Sequence, residues 1–247
     1  MQEKIRDLHV VIMAGGAGVR FWPASTQERP KQFLDILGTG SSLLQMTYQR
    51  ALRLVGSTKV WVVTASSYAD LVYEQLPEVP HGNVLLETRK CNTCPCLAFA
   101  AEMIATRYPE DVMLVVPSDH LIVDDARYDA LIRQAYDFAK EHDALLTLGI
   151  EPTRPETGYG YIQAGDSAGY KSVCEVKSFV EKPDREVAKA YLAEGNYLWN
   201  SGIFLWRVSV FQGVLKAQQQ AIYDLFEGIG EVDGGPAFTI RVQEIYE

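Results

Sequence analysis

The chain lacks any long apolar run. None of its hydrophobic stretches approaches the roughly 20 residues that a membrane-spanning helix needs. The N-terminus also lacks the pattern of a secretory signal. A cytoplasmic protein with no membrane partner is the expectation. Positive charge is short as well: 23 Lys and Arg stand against 32 Asp and Glu, a formal net charge of −9. A sequence-independent binder of nucleic-acid polymers needs a basic face, so this balance argues against that class. Small anionic substrates remain allowed, because a few cations can be focused in one cleft. Cysteines number only four. Cys91, Cys94 and Cys96 form a Cys-x-x-Cys-x-Cys run, yet no second pair exists to complete a structural zinc site. They read as buried, reduced residues acting as small hydrophobes. No internal repeat and no low-complexity segment occurs, and no persuasive Ser-His-Asp or Cys-His set is present.

What is there points to an α/β protein. The 247 residues are long enough to bury a sizeable core, and the composition of 47% hydrophobic and 22% charged residues is ordinary for a globular chain. Strand-like runs alternate with helical spacing. Strands are predicted at Leu8–Met13, Lys59–Thr64, Asn83–Glu87, Val112–Pro117 and Ala144–Gly149. Helices are predicted at 43–55 after the capping pair Ser41-Ser42, at 68–76, from Cys94 to about Arg107 with Thr93 as cap, and at 128–141. Such alternation predicts right-handed crossovers and a Rossmann-like, mostly parallel mixed sheet with helices on both faces. After Gly149 the pattern loosens. Strands are predicted at 160–163, 173–181 and 202–207, helices at 184–194 and 209–226, and an exposed loop at 228–237. The reading is one domain over 1–247, with a nucleotide-binding half to about residue 150 and a sugar-binding half from 151.

The most informative stretch is Ala14-Gly15-Gly16-Ala17-Gly18-Val19-Arg20-Phe21-Trp22-Pro23, closed by Pro30-Lys31-Gln32-Phe33. It follows a buried strand, and its glycines let the backbone approach a ligand closely. Two cations, Arg20 and Lys31, flank a backbone rich in N–H donors, which suits a polyphosphate. It is not the ATPase phosphate loop, since no Gly-Lys-Ser/Thr follows. Nor is it the dinucleotide fingerprint, since Phe21 stands where the third glycine belongs. A plain strand-to-loop turn is the alternative. Asp119 follows the run 112–116 and reads either as a Mg²⁺ ligand or as a turn aspartate. His120 is left out of the catalytic set.

Gly-Gly-x-Gly-x-Arg-x-x-Pro followed by Pro-Lys resembles the signature of the sugar-phosphate nucleotidyltransferases. The fuller form, Gly-Gly-Ala-Gly-Val-Arg-Phe-Trp-Pro with Arg-Pro-Lys-Gln-Phe-Leu, is similar to the mannose-1-phosphate guanylyltransferase branch. The resemblance runs on in order through Pro117-Ser118-Asp119-His120, Gly158-Tyr159-Gly160-Tyr161-Ile162, Phe179-Val180-Glu181-Lys182-Pro183 and Trp199-Asn200-Ser201-Gly202-Ile203-Phe204, over nearly the whole chain.

The resemblance implies transfer of a nucleotidyl group from GTP to α-D-mannose 1-phosphate, with Mg²⁺, giving GDP-mannose and pyrophosphate. Ala14, Gly15, Gly16, Gly18, Asn92 and Thr93 would line the nucleotide. Arg20, Lys31 and Asp119 would be catalytic, with Asp119 on the metal. Glu87 would accept hydrogen bonds from guanine N1–H and N2–H₂. Around it Thr88, Cys91, Cys94 and Cys96 depart from the family's Glu-Pro-x-x-Arg-Asn-Thr-Ala-Pro-Ala. Gly160, Glu181, Lys182 and Asn200 would hold the sugar phosphate. No protein nucleophile is needed: the substrate's own phosphate oxygen is anionic at neutral pH, its second pKa being about 6.

Related enzymes are expected to continue past the equivalent of Glu247 into a segment resembling Pro-Ser-x-Ser-x-Asp-Tyr, whose aspartate is the second metal ligand. A shortened chain that binds its substrates but turns over slowly is therefore expected. Other readings are a nucleotidyltransferase for a different sugar or base, a glycosyltransferase, and a non-catalytic nucleotide-sugar-binding module. Oligomeric state stays open between monomer and homodimer.

Overall fold

Leu8–Met13 (β1), Val60–Ala65 (β2), Val84–Glu87 (β3) and Val112–Pro117 (β4) are short apolar runs, nearly all buried. Runs of this kind suit strands covered on both faces. That is how they lie in the computed structural model, which describes residues 3–16, 21–232 and 234–247. They form a parallel block in the order β3-β2-β1-β4. The sheet then continues through Leu146–Ile150 (β5), Tyr161–Tyr170 (β6), Val173–Val180 (β7) and Tyr197–Arg207 (β8). β8 joins β4 antiparallel, and β5, β6 and β7 are added antiparallel beyond it, completing an 8-stranded mixed sheet.

Both faces of the parallel block are covered. Helices Leu43–Leu54 (α1), Ala69–Gln75 (α2) and Asp125–Glu141 (α4) pack Leu44, Leu54, Val72 and Ile132 against Val10, Ile12, Val62 and Leu114. On the other face Thr93–Ala105 (α3), Val208–Gln218 (α6), Gln220–Phe226 (α7) and Pro236–Tyr246 (α8) bring Phe99, Phe211, Phe226 and Val242 onto Val11, Val63, Met113 and Val115. Alternate residues of each strand thus feed opposite cores, as the two-residue period of a strand requires. A smaller cluster of Tyr161, Ala188, Tyr197 and Trp199 sits under Arg185–Glu194 (α5). No helix among the described residues is long and apolar enough to cross a membrane.

Several local expectations change. Ser42 does cap α1, in a reciprocal capping box with Gln45. Thr93, however, is the first residue of α3; Asn92 holds the cap position at φ 65 without a side-chain cap bond. β8 starts at Tyr197, so Asn200 lies inside a strand rather than before one. Its alternation of buried and half-buried residues is interrupted in sequence by Asn200, Ser201 and Gly202, which hid it. β6 runs to Tyr170 through register shifts against β7. The stretch 228–237 is not wholly an exposed loop: Ile229 is buried in a 3₁₀ turn and Pro236 opens α8. Cys96 is buried and Cys91 and Cys94 are half-buried against the α3 core, whereas Cys174 is exposed on β7.

Gly202 is the point where β8 abuts the end of β4. It has φ 69, and a Cβ there would stand 3.4 Å from Pro117 Cγ. Gly202→Ala is expected to lower stability by about 1–2 kcal/mol, the usual cost of an L-residue in the left-handed region. A urea midpoint that falls at unchanged slope would show it; an unmoved midpoint would mean the turn relaxes without strain.

Candidate active site

The four parallel strands deliver their C-terminal ends to one edge, the place where open α/β sheets bind ligands. Ala14 leaves β1 with its N–H donating to Val63 O at 2.8 Å, and Ser118 leaves β4 with its N–H donating to Met13 O at 3.1 Å. Glu87 is the last residue of β3. The glycine turn, Asp119 and Glu87 therefore emerge side by side. Gly15 and Glu87 are close neighbours: a Cβ on Gly15 would lie 3.4 Å from Glu87 Oε2.

The glycine turn is held by Gln32, a residue that stands in the motif with no role assigned to it by the sequence. Its side chain, 3% exposed, donates to Ala14 O at 2.8 Å and to Gly16 O at 2.9 Å. Thr64 Oγ1 also donates to Ala14 O, at 3.1 Å. Lys31, adjoining Gln32, opens a 3₁₀ turn over 31–33. Lys31 Nζ stands 3.2 Å from Asp119 Oδ2 and 4.6 Å from the centre of the Phe21 ring. Lys31, Asp119 and the glycine turn are thus brought together. Gly18 and Arg20 lie outside the described residues. His120 is half-buried, and burial pushes its pKa below the ordinary range, which suits a neutral packing residue.

Glu87 is buried, and burial pushes its carboxyl up to about 6, against a hydrogen bond that pulls it down. The donor is Tyr246 of α8, whose hydroxyl lies 3.0 Å from Oε1. Nothing in the sequence pattern marks Tyr246, 159 residues away, as a partner of Glu87. Asn92 and Thr93 follow at the start of α3.

The residues expected on the sugar side form a second group. Asn200 N–H donates to Gly160 O at 2.8 Å. A Cβ on Gly160 would stand 2.8 Å from Glu181 Oε2 and 3.3 Å from the Phe179 ring, so a larger residue there would push the exposed Glu181 carboxylate aside. Glu181 and Lys182 are exposed and pair with each other. Asn200 Oδ1 accepts from Gly202 N–H at 3.0 Å and from Thr147 Oγ1 at 3.3 Å. Through Gly202 against Pro117, this group is tied to the strand that ends at Ser118-Asp119. A cavity of about 920 Å³ lies elsewhere, lined by Trp61, Leu85, Met103, Phe238 and Val242 among others, and none of the predicted site residues line it.

Asp119 is the hard-oxygen donor at the phosphate edge. No group of three or more His, Cys, Asp or Glu that could hold a metal alone occurs among the described residues. One half-exposed carboxylate beside a turn expected to meet polyphosphate would fit a cation that draws its other ligands from substrate phosphates.

Comparisons with known proteins bear on the family and the fold. A family model described as nucleotidyl transferase matches residues 9–235. The xanthan biosynthesis protein XanB of Xanthomonas campestris is 43% identical over 88% of this chain and 46% of its own length. The mannose-1-phosphate guanylyltransferase of Escherichia coli K12 is 41% identical over 96% of this chain and 50% of its own. The chain spans about half the length of these curated relatives. A crystal structure from Thermus thermophilus, described as a mannose-1-phosphate geranyltransferase, superposes with a TM-score of 0.85 at 28% identity. That match covers 97% of this chain and 67% of that one.

The raised pKa of Glu87 carries a sign for stability. The folded chain holds this proton more tightly than the unfolded one, whose carboxyl has the ordinary value of 4.5. The associated stability is full below that value and is lost as pH rises through about 6. Glu87→Gln is therefore expected to melt above the unaltered chain at slightly alkaline pH, with the gap closing in acid. Thermal unfolding at both ends checks this; an equal gap at both would mean that Glu87 titrates normally.

Proposed function

The chain belongs to the nucleotidyl transferase family, and we propose that it transfers a guanylyl group from GTP to α-D-mannose 1-phosphate, giving GDP-mannose and pyrophosphate. The observation that carries this reading is the meeting, at one sheet edge, of the clamped glycine turn, the Lys31–Asp119 pair and the buried carboxylate Glu87. Identity near 40% to guanylyltransferases over most of the chain supports the choice of base and sugar.

In this mechanism a phosphate oxygen of mannose 1-phosphate attacks the α-phosphorus of GTP in line. The bond from that phosphorus to the bridging oxygen breaks, and pyrophosphate leaves with the electron pair. The obstacles are repulsion between two anions and charge build-up on the leaving group. Positioning and fixed positive charge answer both. Gly15, Gly16 and Gly18 cradle the triphosphate, with Ala14, Asn92 and Thr93 beside it. Arg20 and Lys31 neutralise the departing pyrophosphate, Lys31 exchanging Asp119 for phosphate as its partner. Glu87 reads the guanine donor edge. Gly160, Glu181, Lys182 and Asn200 hold the sugar and its phosphate. Members of the family generally use a divalent metal; Mg²⁺, held here by Asp119 and the substrate phosphates, would supply charge neutralisation between the reacting anions.

The test is pyrophosphate release from a panel of four nucleoside triphosphates and several sugar 1-phosphates. Release that peaks with GTP and mannose 1-phosphate is expected, and a peak with another pair would replace the assignment. Lys31→Ala is expected to lower kcat by about 10²–10³-fold, the usual loss for one charge-stabilising donor, with little effect on mannose 1-phosphate binding. Unchanged turnover would remove Lys31 from the mechanism.

A further inference from the structure

A buried carboxylate is costly unless donors meet it. Glu87 is met by the Tyr246 hydroxyl on Oε1, while Oε2 faces the glycine turn beside Gly15. The tyrosine is itself fixed. It is buried near the end of α8, edge-on to Phe226 at 5.7 Å and to Phe99 at 6.4 Å. α8 therefore reaches across from the far end of the chain to the side chain that ends β3.

We propose that Tyr246 is a positioning residue for base recognition, anchoring Oε1 of Glu87 so that the carboxylate is presented, ionised, to a purine edge with two adjacent N–H donors. This rests on the reading of Glu87 as the base-reading group. Two acceptor oxygens are needed for such an edge, and a neutral carboxyl offers a donor in place of one of them. The hydroxyl works in favour of the ionised form, because a hydrogen bond given to a carboxylate stabilises the charge. It opposes the burial that pushes Glu87 up to about 6.

The titratable groups recorded against Glu87 are Tyr246 from α8 and the Cys96 thiol from α3, with Cys91 close to the tyrosine. Burial and the neighbouring carboxylate raise the Tyr246 hydroxyl and the Cys96 thiol, so both stay protonated where Glu87 titrates. The glycine turn faces Glu87 with backbone at Gly15.

Tyr246→Phe keeps the ring that packs on Phe99 and Phe226 and removes only the donor. Equilibrium binding of GTP to the full 247-residue chain is measured calorimetrically. It is followed from about pH 5.5 to about 8.5, bracketing the shifted carboxyl range. The unaltered chain is expected to lose affinity as pH falls through the Glu87 titration. In Tyr246→Phe that loss is expected to move up by about one pH unit, costing roughly three- to tenfold in GTP affinity near neutrality and recovering at the alkaline end. Affinity for mannose 1-phosphate is expected to stay the same, which a general loosening of the fold would not allow. A midpoint identical to that of the unaltered chain would overturn the role of Tyr246.

Glu87→Gln separates the tyrosine's role from the carboxylate's, with inosine triphosphate, which lacks the 2-amino donor, as the comparison ligand. If Glu87→Gln weakens GTP and its preference over inosine triphosphate while Tyr246→Phe behaves as the unaltered chain, only the tyrosine inference falls. If Glu87→Gln changes neither, or the unaltered chain binds no GTP, the reading of Glu87 falls and takes the inference with it.

Discussion

The glycine turn after β1 cannot hold its own shape. Its residues carry almost no side chains, and glycine loses more backbone freedom on ordering than any other residue. The Gln32 amide supplies what the turn lacks, with two hydrogen bonds to carbonyls on either side of Gly15. A buried group left unpaired costs about 1–3 kcal/mol, so this clamp strongly favours one arrangement. Because Gln32 adjoins Lys31 in a single 3₁₀ turn, the glycine turn and the cation proposed to meet phosphate beside it are fixed by the same few residues. The rest of the site is arranged around that joint.

Electrostatics divides the site into two regimes. Lys31 and Asp119 are partly exposed and pair at 3.2 Å, an arrangement that is individually weak and readily exchanged for a ligand. Glu87 is buried, and burial holds its pKa near 6 against the hydrogen bond from Tyr246. A carboxylate kept at such cost fits a role in recognition better than one in packing, because an apolar side chain would fill the same space more favourably. The net charge of −9 does not oppose anionic substrates, because a cation placed at a cleft edge, as Lys31 is, acts locally.

The parallel block was legible because its strands are apolar throughout and bounded by Gly, Pro or a capping residue; β1 and β4 fall where periodicity placed them. The second half was less so. β6 and β7 are half-exposed and pair through register shifts, and β8 carries Asn200, Ser201 and Gly202 in its middle, so no clean alternation marks their ends. Of the site, the residues that local motifs set beside a strand end could be named: Gly15, Lys31, Glu87 and Asp119. Gln32 stands inside the same motif, but an amide among charged neighbours gives no sign of being buried. Tyr246 was beyond reach, since its role depends on how α8 docks on α3 and α7 through Phe99 and Phe226.

These differences bear on how the two halves of the site can act. The group proposed to bind nucleotide is built on strands buried on both faces, between two large apolar cores. The group proposed to bind the sugar phosphate rests on one small cluster beneath α5 and on an irregular hairpin whose outer residues face solvent. Local opening is easiest where few apolar contacts are lost, so the edge that carries Glu87 and Asp119 is the rigid member and the one that carries Gly160 and Glu181 the adaptable one. The Gly202–Pro117 contact is the seam between them. In the proposed mechanism, where in-line attack needs the two anions aligned, Asn200 and Gly160 would thus be held against the strand that leads to Asp119.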